Sequence, residues 1–310
     1  MSEVGICPTI TVCGEALVDL VPTGAQTFGA RLGGGPFNVA VTVGRLGSPV
    51  GFCSRISTDP FGEQLIAALT ASGVNVELVQ RGPEPTTLAV TGIDPDGSAR
   101  YTFYADGTAD RLVTGPGPLP ESVAAVSFGT LSLVFEPGAS VYADLLCRSH
   151  DEGRLTVLDP NIRPAVFPDD YRRRFVDLLS AVDVVKVSDD DVYWLGQGLD
   201  GTTPEQWLER GVAAIVTTHG ADGLSVRTPR LHVQVPGRGV PVADTIGAGD
   251  TVHGALLHWF ADHELLSRTS VAALDGGQWQ GALEFAARAA AVTVSRPGAD
   301  PPWASQLTGD

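Results

Sequence analysis

The chain has 310 residues, 43% hydrophobic and 18% charged, enough to bury a sizeable core as one large domain or a domain with a small appendage. Its 36 acidic and 20 basic residues leave a formal charge of -16, a field that repels nucleic acid and anionic lipid and argues against both as partners. The first basic residue is Arg31, and no apolar run approaches the ~18 to 20 residues of a membrane span, so the expectation is a cytoplasmic protein. Cys7, Cys13, Cys53 and Cys147 show no Cys-x-x-Cys spacing and read as reduced thiols used for packing.

In chain order, strands are expected at Ile10 to Cys13, Pro49 to Cys53, Ala124 to Phe128, Leu155 to Leu158, Val182 to Val187 and Ala213 to Thr217, with helical stretches between them. That alternation predicts an α/β fold with a mostly parallel sheet sandwiched by helices. Two segments break it. Glu15 to Leu32 and Thr87 to Tyr104 carry consecutive short strand patterns, the second reading as a hairpin, Leu88 to Ile93 and Ala99 to Tyr104, turned by Asp94-Pro95-Asp96-Gly97. They predict either a small β-sheet lid over a site or a plain surface hairpin. Residues 1–310 then form one unit, with the lid from about 15–35 and 84–107 and the α/β core from about 1–14, 36–83 and 108–310.

Gly33-Gly34-Gly35-Pro36-Phe37-Asn38 places three glycines before a helix. A backbone without side chains can approach a ligand closely, and Asn38 offers a donor and an acceptor to hydroxyl groups, or serves as a cap. Farther on, Asp244-Thr245-Ile246-Gly247-Ala248-Gly249-Asp250 runs into the helical pattern Thr251 to Leu257. Amides of such a turn, at the positive end of the helix dipole, make an anion hole suited to phosphate. Asp250 in the first turn is positioned to accept a proton from a hydroxyl attacking that phosphate. The plainer alternative is a helix cap after a tight turn. Lys186 is the single lysine beside nineteen arginines. His253, His258 and His263, five residues apart, do not share a helical face and form no metal pattern.

Both glycine motifs resemble signatures of the PfkB, or ribokinase-like, carbohydrate kinases. They stand in the expected order, more than two hundred residues apart. The resemblance implies that Asp250 is the catalytic base, that Gly247, Ala248 and Gly249 supply the anion hole, and that Gly33, Gly34 and Asn38 bind the sugar. Gly14 to Leu20 is similar to the opening strand of the fructokinase branch, in which the Asp at the place of Asp19 holds sugar hydroxyls. Asp159-Pro160-Asn161-Ile162-Arg163-Pro164 resembles that branch's Asp-Pro-Asn-x-Arg-Pro, which puts Arg163 near sugar oxygens or phosphate.

The resemblance further implies a nucleotide site around Lys186, Ser188, Asp191, Thr217, Gly220, Gly223, Gly247 and Gly249. Ser188 and Asp191 stand at the ends of the family's Asn-x-x-Glu, so Asp191 takes the place of the acid that organises Mg2+. His219 falls where an apolar residue is usual and receives no role. Asp244, Ile246, Thr293 and Gly298 correspond to a K+ site of several relatives. Phe103-Tyr104-Ala105 stands where 2-keto-3-deoxygluconate kinases have Tyr-Tyr-Arg. Without that Arg a substrate carboxylate lacks its partner, which favours a neutral ketohexose with Phe103 at the sugar site.

The expectation is therefore an ATP-dependent fructokinase making fructose 6-phosphate. A ketodeoxygluconate or other sugar or nucleoside kinase, and a non-catalytic sugar-binding regulatory protein of the same fold, are the alternatives. Family lid strands often pair between subunits, which implies a homodimer through the lid. A P-loop kinase is disfavoured because no Gly-x-x-x-x-Gly-Lys-Ser/Thr occurs, and a dinucleotide enzyme because Gly14-Glu15 follows the first strand instead of Gly-x-Gly-x-x-Gly.

Overall fold

The computed structural model of the chain describes residues 7–24, 26–93, 99–168, 170–197 and 202–307. The chain opens with strands β1 (Ile10–Cys13), β2 (Leu17–Gly24) and β3 (Thr27–Gly33), helix α1 (Gly35–Leu46), β4 (Val50–Ser57) and α2 (Pro60–Ala71). Four strands follow: β5 (Val74–Asn75), β6 (Val79–Gly82), β7 (Leu88–Ile93) and β8 (Ala99–Tyr104). The second half alternates regularly through β9 (Ala125–Gly129), α3 (Gly138–Asp151), β10 (Leu155–Asp159), α4 (Tyr171–Leu178), β11 (Val184–Ser188), α5 (Asp189–Leu195) and α6 (Pro204–Glu209). It ends with β12 (Ala214–Thr218), β13 (Leu224–Arg227), β14 (His232–Val235), α7 (Ala248–Asp262), α8 (Arg268–Ala273) and α9 (Gly276–Val294).

Among the described residues ten strands make one sheet in the order β14-β13-β12-β11-β10-β9-β1-β4-β5, with β6 beside β4. Strands β1, β4, β5, β6, β9, β10, β11 and β12 pair in parallel, and β13 and β14 close one edge antiparallel. Side chains alternate across this sheet. Leu155 and Val157 join a cluster with Val39, Leu256 and Leu283 on the α1, α7 and α9 side, while Leu158 joins Phe128, Leu145 and Phe175 on the other. Burial on both faces explains why these strands read as continuous apolar runs in the sequence.

The irregular segments form a second sheet of four strands in the order β3-β2-β7-β8. β2 and β3 pair antiparallel, as do β7 and β8 across Leu88↔Tyr104 to Ile93↔Ala99. The join between the two hairpins is parallel, Val18↔Leu88 to Leu20↔Val90, and connects stretches some seventy positions apart. The anticipated turn at Asp94 to Gly97 lies outside the described residues. Packing accounts for only two of the four thiols: Cys13 and Cys53 are buried, whereas Cys7 and Cys147 are free and exposed.

Helices α1 and α7 lie side by side, and a glycine sets their separation. A Cβ on Gly254 would stand 2.6 Å from Thr42 Cβ and 3.0 Å from the Val39 carbonyl oxygen, a backbone atom that cannot swing away. Gly254→Ala is therefore expected to destabilise the protein by about 1–3 kcal/mol through overpacking. Urea unfolding of the two proteins measures it, and coincident midpoints would mean that the helices part without cost.

Candidate active site

Every element that contributes to the site meets at the carboxyl ends of the parallel strands, where α/β sheets open a crevice. Gly14 and Glu15 follow β1, Thr130 follows β9, and Asp159 ends β10. Helices α1 and α7 start beside them. α1 begins after Gly34 at φ 106°, with Pro36 in its first turn and no side-chain cap. A Cβ on Gly34 would come within 2.8 Å of the Glu15 carbonyl oxygen, so glycine is required both for the backbone angle and for the close approach. Asn38 is thus no cap. It donates from Nδ2 to Asp250 Oδ2 at 2.8 Å, a buried bond between residues 212 positions apart.

α7 begins after Gly247, which is left-handed at φ 76° and again provides no side-chain cap. Apart from Ala248, whose amide donates to the Thr245 carbonyl at 3.3 Å, its first-turn amides remain open at the positive end of the helix. Asp250 is only 7% exposed. Burial, with a smaller push from Asp159, raises its carboxyl above the usual carboxylate range, while the Asn38 bond, Lys186 and Arg163 counteract it. Asn161, at φ 40°, approaches the other oxygen, with Nδ2 3.5 Å from Asp250 Oδ1. Its own Oδ1 accepts from Arg163 at 2.7 Å.

Two cavities flank the start of α7. One, of about 270 Å³, is walled by Asp19, Gly34, Asn38, Arg163 and Asp250, with Tyr101 and Phe103 reaching in from the small sheet. The other, of about 480 Å³, is bounded by Gly220, Gly223, Ala248, Val252, Ala287 and Val294 and is largely apolar. Thr245 and Gly249 line both. The Gly-Ala-Gly turn is thus the partition between a polar and an apolar chamber, with Asp250 on the polar side.

The small sheet supplies Asp19, whose carboxyl is raised to about 6, first by burial and then by the neighbouring Asp250, against the pull of Arg163. Gly33 lines neither cavity. It makes room for that carboxylate, since a Cβ there would lie 2.3 Å from Asp19 Oδ2.

Several residues expected at a nucleotide or a cation are committed elsewhere. Lys186 lines neither cavity: it is 3% exposed and donates to Asp159 Oδ2 at 2.9 Å. Burial presses its pKa down, but the Asp159 and Asp191 charges outweigh that and hold it above the usual lysine value. Its ammonium lies directly beneath the Gly-Ala-Gly turn, 2.8 Å from where a Cβ on Gly249 would stand.

Ser188 and Asp191 form a capping box on α5. Asp191 Oδ1 accepts from the Ile162 amide at 2.7 Å, and Oδ2 accepts from the Ser188 amide at 2.8 Å and its hydroxyl at 2.7 Å. With both oxygens engaged inside the protein, Asp191 does not fit a magnesium ligand. Thr217 is replaced at the apolar cavity by Thr218, because neighbouring strand residues point to opposite faces. Gly220 and Gly223 stand where expected, and His219 is held by Asp189 at 2.9 Å and Ser225 at 2.8 Å.

Of the four residues proposed for potassium, three gather. Asp244 accepts from the Ile246 amide at 3.0 Å and the Gly298 amide at 2.9 Å, tying the turn to the chain's last segment. Thr293 is fully buried with its hydroxyl on Thr251 at 2.9 Å. The carbonyls of Thr293 and Gly298 already accept amides of Arg296 and Asp300. These contacts fix the arrangement of the cluster. Among the described residues no group of three or more His, Cys, Asp or Glu side chains could hold a metal.

Sequence reasoning missed Glu15, Tyr101, Thr130 and Asn161. Asn161 sat inside a motif already singled out, and its Asp-Pro-Asn setting was the available signal. Glu15 is buried, accepts from the Thr130 hydroxyl and from the Ser132 amide at 3.0 Å, and is raised to about 7 chiefly by burial. Only the fold brings it to the polar cavity.

A family model described as "pfkB family carbohydrate kinase" matches residues 8–306, and the chain belongs to that family. A fructokinase of Rhizobium leguminosarum bv. trifolii is 38% identical over 275 residues, covering 86% of this chain and 84% of its own. The fructokinase of Xylella fastidiosa with bound ATP superposes with a TM-score of 0.88 at 26% identity, over 96% of this chain and 97% of that one. A double mutant of the Vibrio cholerae O395 fructokinase, bound to fructose, ADP and a potassium ion, gives 0.81 at 25% identity over 94% of each chain. No described helix is long and apolar enough to cross a membrane.

The capping geometry of Asp191 yields a direct test. Asp191→Ala should cost about 1–3 kcal/mol of stability, from the lost cap and an unpaired buried amide, while leaving the magnesium concentration for half-maximal activity unchanged. A several-fold rise in that requirement with unaltered melting would restore Asp191 as a metal ligand.

Proposed function

We propose that the protein phosphorylates a primary hydroxyl of a ketohexose with ATP, as a fructokinase making fructose 6-phosphate and ADP. The observation that carries this reading is the anion-hole turn of α7 set between a polar and an apolar cavity, with a buried carboxylate on the polar side. The similarity to fructokinases over most of the chain supports it, as does a polar cavity containing Asp19 and Asn38, which suit hydroxyl groups. Arg163 lines that cavity and is tied to Asn161 through Nη1 alone. Ala105 stands where ketodeoxygluconate kinases carry the Arg that would pair a substrate carboxylate, which favours a neutral sugar.

In this reading Asp19 and Asn38 hold the sugar, Asp250 takes the proton of the attacking hydroxyl, and the amides of Gly247 to Asp250 stabilise the transferring phosphoryl group. The apolar cavity takes the base of the nucleotide. Magnesium arrives on the nucleotide phosphates, with most of its ligands from phosphate and water. The small sheet acts as a lid that brings Tyr101 and Phe103 over the sugar and excludes water. Two copies pairing through its edge strands β3 and β8 would hold the lids together, a reading supported by the exposed Phe28 and Tyr104 on those strands.

An ADP-release assay with magnesium-ATP and a panel of fructose, ketodeoxygluconate, ribose, glucose and adenosine should show strong turnover on fructose. Asp250→Asn should keep fold and ligand binding yet lose about three or more orders of magnitude in kcat. Near-normal turnover by that variant would remove Asp250 as the base, and silence on every sugar would favour the binding-only alternative.

A pH dependence follows from Asp19. A sugar hydroxyl donating to Asp19 favours the ionised form, so binding strengthens as pH rises and levels off above about 6. Below that pH the dissociation constant should worsen by up to about ten-fold per unit. Calorimetric titration across the range measures it, and a flat profile would take Asp19 out of sugar binding.

A further inference from the structure

One turn beyond Asp250 on the same helix lies His253, 2% exposed and without any part in the scheme above. Its Nε2 is 3.0 Å from Ser127 Oγ, while Nδ1 has no hydrogen-bond partner. The Asp159 carboxylate stands 3.7 Å from Nδ1, beyond hydrogen-bond reach but close enough for its charge to act. A small space of about 10 Å³, room for one water molecule, is walled by Asp250, Asp159, His253, Ser127 and Thr130. Five polar side chains around so small a space, one of them with an unpaired nitrogen, are what a bridging water requires.

We propose that His253 takes up, through a water in this space, the proton that Asp250 removes from the sugar hydroxyl. The proposal rests on the kinase reading above. As the sugar oxygen bonds to the γ-phosphorus and the bond from that phosphorus to the bridging oxygen of ADP breaks, the hydroxyl proton passes to Asp250. The carboxyl O–H bond then breaks as the water gains that proton, and the water gives one of its own to Nδ1. Asp250 returns to a carboxylate and His253 becomes an imidazolium, with no change of oxidation state.

The surrounding charges suit a temporary acceptor. From β10, Asp159 faces the ring and stabilises the imidazolium. From β11, Lys186 already neutralises much of Asp159. β9 presents Ser127, α1 presents Pro36 and Val39, and α7 itself adds only Asp250. The relay takes Nε2–H as the donor to Ser127, which leaves the lone pair on Nδ1. Because His253 acts through Asp250 and touches no substrate, it is a positioning and relay residue.

The test compares wild type, Asp250→Asn and His253→Gln with magnesium-ATP and fructose. His253→Gln keeps a donor for Ser127 but cannot be protonated. It should lose about ten-fold or more in kcat, with both KM values within about two-fold and a shallower acid limb in the kcat profile, one of two titrating groups being gone. Wild-type kcat and an unchanged profile in the folded variant overturn the relay alone, provided wild type is active and Asp250→Asn is not. Inactivity of wild type on every sugar removes the kinase reading and the relay with it. Nitrogen-15 NMR of histidine-labelled wild type needs no variant: the proton of neutral His253 is expected on Nε2, and finding it on Nδ1 overturns the proposal.

Discussion

The hydrogen bond from Asn38 to Asp250 joins two helices whose sequences lie on opposite sides of the chain, and much of the site depends on its length. α1 carries the glycine turn that approaches Glu15, and α7 carries the anion-hole turn. Gly254 and Thr42 determine how closely the helices approach, because interiors are packed too tightly for one to move alone. A change of a few tenths of an ångström there displaces the carboxylate relative to the polar cavity. The two family signatures are thus halves of one contact.

Around that contact the protein concentrates charge that its overall composition would not suggest. The molecule is strongly acidic, yet Lys186 is buried under the anion-hole turn and Arg163 reaches the cavity from the loop after β10. Lys186 can be buried because Asp159 neutralises it, and Asp159 is held below the usual carboxylate range chiefly by Lys186, against the effect of its burial. Local fields of this kind act over a few ångströms, whereas the net charge is screened over ~8 Å. The acidity of the chain is therefore compatible with phosphate binding at that turn as proposed.

The small sheet solves a different problem. A sugar offers hydroxyl groups on all sides, and a crevice at the sheet's edge covers only one. Strand β2 leaves the main sheet directly after β1 and turns Asp19 back over the crevice, while β8 adds Tyr101 and Phe103. Because β2 continues from the loop that holds Glu15, the position of the small sheet is tied to the floor of the cavity. Glu15 is buried between the two through its bonds to Thr130 and Ser132.

The α/β class, the strand runs and the two glycine turns were legible because burial on both faces makes strands apolar and because the backbone angles at Gly34 and Gly247 favour glycine. Asp250, Asn38 and Asp19 were legible through their motifs. Sequence alone could not say where the side chains of Ser188, Asp191, Thr217 and Lys186 are spent. Ser-x-x-Asp reads equally as a ligand pair or a capping box, and the amide of Ile162, brought in by tertiary folding, decides it. Strand parity moves the lining position from Thr217 to Thr218. The parallel join of β2 to β7, the approach of Asn161 to Asp250, the place of Glu15 at the same cavity and the meeting of His253 with Ser127 and Asp159 belong to the tertiary structure, because contacts between residues far apart in the chain leave no periodic trace in a single sequence.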